Sequence, residues 1–527
     1  MLTRKIYRSV QAYVTAVAVI VTVTALVFTI YFTELNRQWA TFLTGILIAS
    51  VLSMTSRASK AEWIITRRTT QLTVLKSKLE LEMQLRDKAV AEHQQALTLL
   101  QQTKLAYGRL IPRQLLTLLE KDSIVDVNLG DQVERKLTIM FSDIRNFTPL
   151  SESMSPRDNF NFINSYLGQM EPVISRHRGI IDKYMGDGIM ALFMQGADDA
   201  VSGAVAMLEK LSQYNEGRKR AGYAPIQAGF GLNTGLVIIG TVGGANRMDS
   251  TVIGDAVNLA SRIEEATKTY HVPLLISQNT LYDIEKPSKY DIRFLDRIRV
   301  KGKTQPMSIY EVFDNDPYKL RDAKRTSKAR FGEAIAYYHL KEIPRAVELF
   351  THCIEVAPDD VPARIYLSRC EEYQSTGQHF STGELNSRFE WRREFNIGIE
   401  EIDVPHKHLL TKVNELVATD GNVDSNIINE IFVFLTDHYM QGKVEEKLMQ
   451  RYNYPFIESH LQEHKRLIEN FMALKEDADA GVSGPLYLSF RTQLLLFDWF
   501  TGHISKADRH MGRYVIAESF VKPKNEE

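Results

Sequence analysis

The sequence predicts a multidomain protein that combines all-α parts with one α/β part. Its 527 residues exceed what one hydrophobic core normally organises. Two long uncharged apolar runs lie near the N-terminus, at residues 9–33 and 38–56. Strand and helix patterns alternate from residue 134 onward, whereas only helical patterns follow residue 325. These observations predict several domains rather than one.

The overall composition narrows the classes of function. The formal net charge is −1, which gives no argument for nucleic acid as a partner. Hydrophobic residues make up 44% of the chain and charged residues 24%, as in ordinary folded proteins. The two cysteines, Cys353 and Cys370, exclude a disulfide framework, so a reducing compartment fits the bulk of the chain.

The two apolar runs predict a transmembrane helical hairpin over residues 1–57. A bilayer needs about 20 residues per span, and residues 9–33 are too long for the apolar stretch of a signal peptide. Basic residues flank the pair, namely Arg4, Lys5 and Arg8 before it and Arg57, Lys60, Arg67 and Arg68 after it. This pattern predicts a two-pass protein of the inner (cytoplasmic) membrane with both ends in the cytoplasm. The alternative is a buried hairpin in a soluble protein.

Residues 58–133 are predicted to form a helical connector. Apolar residues keep a heptad-like spacing there, and no proline occurs before Pro112. These apolar residues are Leu72, Leu75, Leu79, Met83, Val90, Leu97 and Leu100. We expect a parallel dimeric coiled coil, although Arg86 and His93 interrupt its seam. A solvated connector helix is the alternative.

Two aspartates stand out in residues 134–316, where strands and helices alternate as in an α/β domain. Asp143 follows the strand pattern TIMFSD, and Asp187 lies in an MGDG turn between two apolar strands. Carboxylates at strand ends beside glycine turns suit hard divalent cations, which also accept phosphate oxygens. A single aspartate in a turn is usually only a turn former, so the pair raises the odds of a metal site modestly.

Five motifs of this segment resemble, in order and spacing, the class III adenylate/guanylate cyclase domain: FSDIRNFTPLSE, DKYMGDGIMALF, GLNTGLVIIGTVG, TVIGDAVNLASRIE and RVKGKTQPMSIYEV. The resemblance implies a ferredoxin-like α/β fold and a homodimer with active sites across its interface. It implies that Asp143 and Asp187, assisted by the backbone of Ile144, bind two Mg²⁺ or Mn²⁺ ions. It also implies that Asn258 and Arg262 orient the ribose and stabilise the transition state.

The implied chemistry makes sense of these residue types. The ribose 3′ oxygen attacks the α-phosphate and pyrophosphate leaves, while two metals activate the attacking oxygen and neutralise the triphosphate. An arginine such as Arg262 adds positive charge where negative charge develops in the transition state. Lys301 matches a lysine of the family that contacts phosphate.

The choice of base is expected to depend on Lys183 and Thr251. Adenylate cyclases of this family have lysine paired with aspartate or threonine, whereas guanylate cyclases typically have glutamate at the lysine position. A lysine ammonium can donate to adenine N1, an acceptor, whereas guanine N1 carries a hydrogen and suits a carboxylate. The pair therefore favours conversion of ATP to cyclic AMP, with a guanylate cyclase as the alternative.

Residues 325–376 carry a short helical pattern of a different kind. Tyr337, Ala346, Phe350 and Pro358 stand at the offsets of a tetratricopeptide repeat. One repeat cannot bury its own apolar face. We therefore predict a helical spacer or docking pair rather than a peptide receptor.

Residues 385–520 show long amphipathic helices joined by short breaks, which is typical of a four-helix bundle. His460 and His464 are four residues apart on one helix face, and that spacing alone is a weak signal. The other helices add inward candidates, namely His406, Glu445, His503 and Asp508. Histidines and carboxylates that project into a four-helix core favour a di-iron or related site.

This arrangement resembles bacteriohemerythrin over about residues 389–515, through IDVPHKHL, EEKLM, YPFIESHLQEH and HISKAD. The resemblance implies a non-haem di-iron site in which Glu445 and Asp508 bridge the metals. The implied histidine ligands are His460, His464 and His503 for one iron and His406 for the other.

One position departs from that family. Gln441 stands where the family has a histidine, four residues before Glu445. His438 shares a helix face with both residues but lies about 4.5 Å further along the axis than Gln441. It can bind iron only if the helix shifts or bulges, which Gly442 would permit. The remaining ligand is therefore His438 or Gln441, and a metal-free bundle is the alternative.

Together these features predict a membrane-anchored, homodimeric adenylate cyclase. Its hemerythrin-like bundle would adjust the output in response to oxygen, redox state or iron, because the membrane hairpin leaves almost no outer loop to bind a signal. The alternative is a constitutive cyclase that carries an uncoupled metal- or oxygen-binding module.

Overall fold

The structure is a computed structural model of the whole chain, and it describes residues 2–31, 37–110, 113–244, 247–299, 306–377, 389–418, 425–480 and 484–521. The chain divides into two compact units, Met1–Ile111 and Pro112–Glu527. Lys301, the predicted phosphate contact, lies outside the described residues.

The N-terminal unit consists of two helices that contact each other, α1 (Leu2–Tyr31) and α2 (Arg37–Leu110). The second predicted apolar segment and the part of the predicted connector up to Leu110 are thus one uninterrupted helix, whereas residues 132–133 of that connector belong to the first strand of the sheet. Within the part of the chain that the structure describes, none of the helices combines the length and the apolar composition needed to span a bilayer. The predicted membrane hairpin is not confirmed, and the predicted coiled coil, which needs a second chain, stays a prediction.

One mixed sheet organises the second unit. Its strands are β1 (Gln132–Ile144), β2 (Gly179–Met185), β3 (Gly188–Phe193), β4 (Ala228–Gly244), β5 (Arg247–Ile253), β6 (Leu274–Ser277), β7 (Ile292–Arg299) and β8 (Pro306–Val312). The order is β2-β3-β1-β4-β6-β8-β7, and β5 folds back on β4. The β4–β6 pair is parallel and the other pairs are antiparallel. The predicted α/β fold is confirmed.

The helices between the strands are α3 (Arg113–Leu118), which precedes the sheet, α4 (Phe147–Glu152), α5 (Pro156–Arg176), α6 (Ala197–Arg220), α7 (Asp255–Tyr270) and α8 (Gln278–Asp283). Helix α5 begins where Ser155 caps it and Pro156 starts its first turn, as helix starts commonly do. The apolar faces of α5 and α6 bury residues such as Tyr166 and Met207 against the sheet, around Phe193. This apolar core fixes β1 and β3, the strands that border the predicted aspartates.

The remaining described helices are α9 (Tyr318–His339), α10 (Ile343–Val356), α11 (Val361–Thr376), α12 (Glu400–Ala418), α13 (Ser425–Leu435), α14 (Val444–Arg451), α15 (Ile457–Asp479), α16 (Pro485–Trp499) and α17 (Arg509–Val521). Two π-helical segments interrupt the C-terminal set, Thr436–Gly442 and Phe500–Asp508. A π-helix holds an extra residue per turn and so redirects the side chains it carries.

The predicted spacer, α9–α11, packs tightly on the sheet. Buried Arg293 of β7 pairs with Glu311 of β8 at 2.6 Å and with Asp360, directly before α11, at 2.6 Å. Lys324 of α9 also reaches Glu311, at 2.7 Å. The apolar face that one repeat cannot bury alone is thus covered by the sheet and α7, so these helices are part of the second unit rather than a free linker.

A single hydrophobic core joins the sheet, α7, α9–α11 and the C-terminal helices. Leu259 and Ile263 of α7 belong to the same cluster as Phe331 of α9 and Phe490 of α16. Polar contacts reinforce this core, since the Ser308 hydroxyl donates to the Asp498 carboxylate at 2.8 Å. The C-terminal helices therefore cannot be removed without exposing core surface of the α/β part.

Candidate active site and candidate metal centre

Asp143 and Asp187 meet at one edge of the sheet. Asp143 lies near the end of β1, and Asp187 lies in the turn between β2 and β3. Because β1 pairs with β3 so that Ser142 faces Ile189, the end of β1 lies beside that turn. Gly186 makes the tight turn possible with a φ of 66°, a left-handed conformation that glycine adopts without strain.

The hydrogen bonds around the two aspartates fit a cation site. The Ile144 amide donates to Asp187 Oδ2 at 3.1 Å and so orients this carboxylate, whereas direct help of the Ile144 backbone in metal binding stays a prediction. Burial, with a contribution from Asp143, raises the pKa of Asp187 to about 6. Lys268 Nζ, which sequence reasoning missed, donates to Asp143 Oδ2 at 2.8 Å. Two neighbouring carboxylates that already attract an ammonium are suited to hard divalent cations.

Helix α7 carries Asn258 and Arg262 one turn apart. Asn258 is exposed and Arg262 is half-buried, whereas Leu259 and Ile263 are buried in the core. The helix lies directly against β4, where a side chain in place of Gly231 would come within 2.1 Å of the α7 backbone. The sheet therefore fixes the helix while its polar residues stay accessible.

The two predicted base-reading residues do not meet within one chain. Lys183 lies on β2 and Thr251 on β5, so β3, β1 and β4 separate their strands in the sheet. Lys183 pairs instead with its neighbour Asp182, at 3.2 Å. A site that used both residues would therefore need a second copy of the chain.

The C-terminal candidate ligands converge in a buried cluster. Potential ligand atoms of Glu445, His460, His464, His503 and Asp508 all lie within 4.8 Å of one another. A second group, which shares Glu445, contains His406 and His438. The predicted iron-binding residues whose side chains the structure describes therefore lie together. They come from helices that are far apart in the sequence of the bundle.

The two carboxylates face both groups of histidines. Glu445 Oε2 lies 3.1 Å from His460 Nε2 and 3.3 Å from His464 Nε2, whereas Oε1 lies 3.7 Å from His406 Nε2. Asp508 behaves likewise, since Oδ1 lies 2.8 Å from His503 Nε2 and Oδ2 lies 3.6 Å from His406 Nε2. Each carboxylate therefore offers one oxygen to each of two neighbouring positions, as a bridging ligand does.

The polar atoms of this cluster are incompletely satisfied. Glu445 Oε1 and both Asp508 oxygens are buried and form no hydrogen bond of good geometry, although Asp508 Oδ1 lies 2.8 Å from His503 Nε2. Burial lowers the pKa of His464 to about 4, whereas Asp508 and Glu463 outweigh burial and raise the pKa of His503 to about 10. Buried carboxylate oxygens that lack well-oriented hydrogen bonds are costly, and cations held between them and the imidazoles would satisfy both. The donor set of histidine nitrogens and carboxylate oxygens fits iron.

The π-helix Thr436–Gly442 supplies the local distortion that His438 needs. It brings His438 Nε2 to 3.8 Å from Glu445 Oε1. Lys443, at a φ of 49°, then breaks the helix before α14 restarts. The backbone of Gln441 lies within the same segment. His438 is therefore a member of the cluster despite its displaced position in the sequence, and its role as a ligand stays a prediction.

We expect His438→Ala to lower the iron content of the purified chain from about two toward about one per chain. The reason is that His406, His438 and Glu445 form one of the two groups. Elemental analysis measures the content. Gln441→Ala and His408→Ala, an exposed neighbour of the cluster on α12, serve as controls and should leave it unchanged. A loss with Gln441→Ala alone would assign the ligand to Gln441.

Aromatic side chains hold the histidine rings in place. Trp499 stacks on His503 with ring centroids 3.8 Å apart, and its Nε1 donates to the Tyr439 hydroxyl at 2.9 Å. The same hydroxyl lies 3.2 Å from His406 Nε2. Such outer contacts orient metal ligands.

Comparison with known proteins decides the nature of the α/β part. Residues 130–313 match the model of the adenylate and guanylate cyclase catalytic domain. This segment is a class III nucleotide cyclase domain. The cyclase domain includes the sheet with its aspartates and helix α7 with Asn258 and Arg262.

Relatives of the cyclase domain include two named adenylate cyclases. One, from Anabaena cylindrica, is 40% identical over 219 residues, which cover 40% of this chain and 44% of that protein. Another, described as terminal-differentiation specific and from Dictyostelium discoideum, is 36% identical over 285 residues, covering 52% and 13%. The chain thus spans less than half the length of each relative.

A solved structure of the adenylyl cyclase CyaB from P. aeruginosa is 35% identical. The match covers 35% of this chain and 96% of that one, with a TM-score of 0.32. The match to the cyclase family model and the identity to named adenylate cyclases confirm the predicted class III cyclase for the cyclase domain. The predicted fusion to a bacteriohemerythrin-like domain is not confirmed by these comparisons and stays a prediction.

A cavity of about 600 Å³ lies between the cyclase domain and the C-terminal helices. Lys136 and Gln278 line it on the cyclase side, and His460, Glu463 and His503 line it on the other. Its volume is in the range of small-molecule sites. The cavity gives a small molecule a route to the histidine cluster, away from the two aspartates.

Glu264 of the cyclase domain is a further ionisable group that sequence reasoning missed. It lies on α7, is 8% exposed, and burial raises its pKa to about 7. The folded protein therefore keeps a proton on Glu264 between about pH 4.5 and 7 that the unfolded chain loses, so stability falls as pH rises through this window. In the sequence, Glu264 stands four residues before Lys268, a spacing that lets the two side chains pair on one helix face and could have drawn attention to it.

We expect Glu264→Gln to remove part of this fall in stability. At about 1.4 kcal/mol per pKa unit, the metal-free wild type should lose up to roughly 3 kcal/mol relative to the variant between pH 5 and 8. Urea unfolding at both pH values measures the difference. Glu265→Gln, at an exposed position of the same helix, is the control. Parallel pH profiles for wild type and Glu264→Gln would contradict the expectation.

Proposed function

We propose that the protein is a homodimeric adenylate cyclase that converts ATP to 3′,5′-cyclic AMP and pyrophosphate. The observation that carries the proposal is the pair of aspartates held at one sheet edge within a class III cyclase domain. The names of its relatives support ATP as the substrate. Bound Mg²⁺ or Mn²⁺ would activate the ribose 3′ oxygen and neutralise the triphosphate.

The chain's own residues divide the remaining tasks. Asp143 and Asp187 hold the cations, and the Ile144 amide keeps the Asp187 carboxylate in position. Asn258 orients the ribose, and the Arg262 guanidinium stabilises charge on the phosphate in the transition state. Both project from a helix that the core holds in place, so their geometry is preorganised.

A second copy of the chain is the proposed partner, through the cyclase domain and the predicted coiled coil. Apolar side chains are exposed on the β4–β5 hairpin, namely Ile238, Val242, Met248 and Ile253, each 40–55% exposed. Exposed apolar patches of this kind mark interfaces. A twofold dimer would also supply Thr251 of one chain to Lys183 of the other, which the fold of one chain keeps apart.

The base specificity is the finer part of this proposal. Lys183 is an ammonium donor for adenine N1, where a carboxylate would suit guanine, and Thr251 matches the threonine or aspartate that adenylate cyclases pair with this lysine. A guanylate cyclase is the alternative. It would require the guanine edge to be read by groups other than these two.

We further propose that the C-terminal helices form a hemerythrin-like, non-haem di-iron centre that regulates the cyclase in response to oxygen, redox state or iron. The two-sided placement of Glu445 and Asp508 between two groups of histidines supports a pair of metals. The cavity that reaches His460 and His503 would admit a small oxidant. The continuous core offers a physical route from this centre to α7. A constitutive cyclase with an uncoupled metal module is the alternative.

The test uses the full chain, because the shared core makes truncation unsuitable. Purified protein is incubated with ATP or GTP and Mn²⁺, the cyclic products are separated, and the iron content is determined. Cyclic AMP as the main product supports the proposal, whereas cyclic GMP as the main product or no turnover would overturn it. The location in the inner membrane stays a prediction, which fractionation of cells that express the chain would test.

A further inference from the structure

Two side chains join the candidate metal centre directly to the strand that carries Asp143. Glu463 lies on α15, next to His464, and its Oε2 is 2.6 Å from His503 Nδ1. The other ring nitrogen of His503 lies 2.8 Å from Asp508 within the centre. Metal-binding histidines characteristically present their second nitrogen to a carboxylate in this way. Glu463 is thus the outer partner of a candidate ligand.

The same carboxylate crosses to the cyclase domain. Glu463 Oε1 accepts from Lys136 Nζ at 2.5 Å, and Lys136 also lies 3.2 Å from Asp283 Oδ1 at the end of α8. Lys136 is only 20% exposed and Glu463 22%, so solvent weakens this contact less than it weakens a surface ion pair. Charge-assisted hydrogen bonds of this kind are about twice as strong as neutral ones.

Lys136 belongs to β1, the strand that ends at the metal-binding aspartate. It pairs with Leu236 of β4, and further along the same strand Asp143 faces Gly229. A force on Lys136 therefore acts on a strand whose far end holds one of the two catalytic carboxylates. The strand lies inside the sheet and is hydrogen-bonded on both sides, to β3 and to β4.

Glu463 is shared by two donors, and this creates the coupling. A cation on His503 Nε2 takes the position of any proton there and so changes the charge that the ring presents to Glu463 through Nδ1, because hydrogen bonds in one network polarise one another. The strength with which the carboxylate holds Lys136 changes with it, and Lys136 has Asp283 as a second partner. Occupation of the metal centre therefore changes the contacts that Lys136 of β1 makes.

We propose that Glu463 and Lys136 are the positioning residues through which the metal centre of the C-terminal helices acts on nucleotide binding at the cyclase site. This inference rests on the proposed regulatory function and specifies its route. Neither residue touches the substrate. A second contact crosses the same boundary, between His510 Nε2 and Glu134 Oε2 at 3.0 Å, but His510 is not a member of the metal cluster.

The test measures coupling as a ratio of affinities. The dissociation constant of a non-hydrolysable ATP analogue, with Ca²⁺, is measured by calorimetry for the iron-loaded and the metal-free full chain. For the wild type we expect the two constants to differ by roughly 5-fold or more, in the range usual for coupled sites. Elemental analysis and the optical spectrum establish that every protein carries the same iron.

Variants of the cyclase side of the contact leave the metal ligands intact. Lys136→Met should bring the ratio close to one with unchanged iron content, and Lys136→Arg, which can still pair with Glu463, should keep it. Glu134→Gln, which breaks the other contact from the same strand, should keep the wild-type ratio. If Lys136→Met is insoluble, Glu463→Gln is measured in the same assay, and its ratio of dissociation constants should also be close to one.

The outcomes separate this inference from the proposed function. A wild-type ratio above 5 that survives Lys136→Met would overturn the route and leave regulation by the centre standing. A wild-type ratio of one, with iron bound, would overturn both. Loss of the ratio in Glu134→Gln as well as in Lys136→Met would show that any damage to the boundary uncouples the sites, which also contradicts the specific route.

Discussion

Replacing Asp187 by asparagine is expected to reduce cyclic AMP formation by about 10²–10³-fold at saturating ATP and Mn²⁺. The bound metals supply several kcal/mol of transition-state stabilisation, and each 1.4 kcal/mol corresponds to about a factor of ten in rate. Asp187 shares the cation site with Asp143, so Asp143→Asn should have a similar effect. The rate of cyclic AMP formation by the purified full chain measures it.

The control for this prediction is an exposed aspartate of the same domain, Asp158→Asn, which should keep near wild-type activity.

The fold of Asp187→Asn can be checked independently. Because burial and Asp143 raise the pKa of Asp187 to about 6, ionisation of this group destabilises the metal-free fold as pH rises from about 4 to 6. Metal-free Asp187→Asn should then melt no lower than wild type at pH 7.5. A well-folded variant that retains a tenth or more of the activity would contradict the assignment.

Exchange of both base-reading residues, Lys183→Glu with Thr251→Cys, should lower ATP turnover by about 10–100-fold. The exchange removes a charged donor to adenine N1, and a hydrogen bond to a charged group contributes about 1.5–3 kcal/mol. The introduced glutamate can accept from guanine N1, so the ratio of GTP to ATP turnover should rise. Initial rates with each nucleotide, measured on the same protein sample, give both numbers.

Lys183→Arg provides a matched control, because it keeps a cationic donor and should lose less ATP turnover than the double variant. Unchanged ATP turnover in the double variant would show that the base is read elsewhere. High GTP turnover by the wild type would support the guanylate cyclase alternative.

The parts of the protein that follow from local pattern were predicted well. The apolar patterns predicted β1 and the two strands β2 and β3, and the glycine turn placed Asp187 between them. That Asp187 lies beside Asp143 was implied by the resemblance to the cyclase domain. The one-turn spacing of Asn258 and Arg262 required only that α7 be a helix. The sequence pattern predicted a four-helix bundle with a histidine or carboxylate on the inward face of each helix. This predicted that the C-terminal histidines and carboxylates converge, as they do.

The features that sequence patterns did not reveal depend on tertiary contacts. The position of His438 is set by a π-helix, and a regular helix at 100° per residue would have left it displaced. Lys268 reaches Asp143 across 125 residues of sequence, and Lys136 reaches Glu463 across 327. Charged residues at such separations carry no periodic signal. The packing of α9–α11 on the sheet was likewise unpredicted, because one repeat gives no indication of what covers it.

Occupancy of the metal centre is proposed to control the cyclase domain. The most direct measurement is the initial rate of cyclic AMP formation by the full chain, at fixed ATP and Mn²⁺, for metal-free protein and for the same protein loaded anaerobically with iron. His503→Ala, which removes a candidate iron ligand and replaces none of the residues proposed to hold cations or nucleotide, is compared in parallel. We predict rates that differ several-fold in the wild type and are equal in the variant. Equal rates in wild-type protein that demonstrably carries iron would contradict the account and favour a constitutive cyclase.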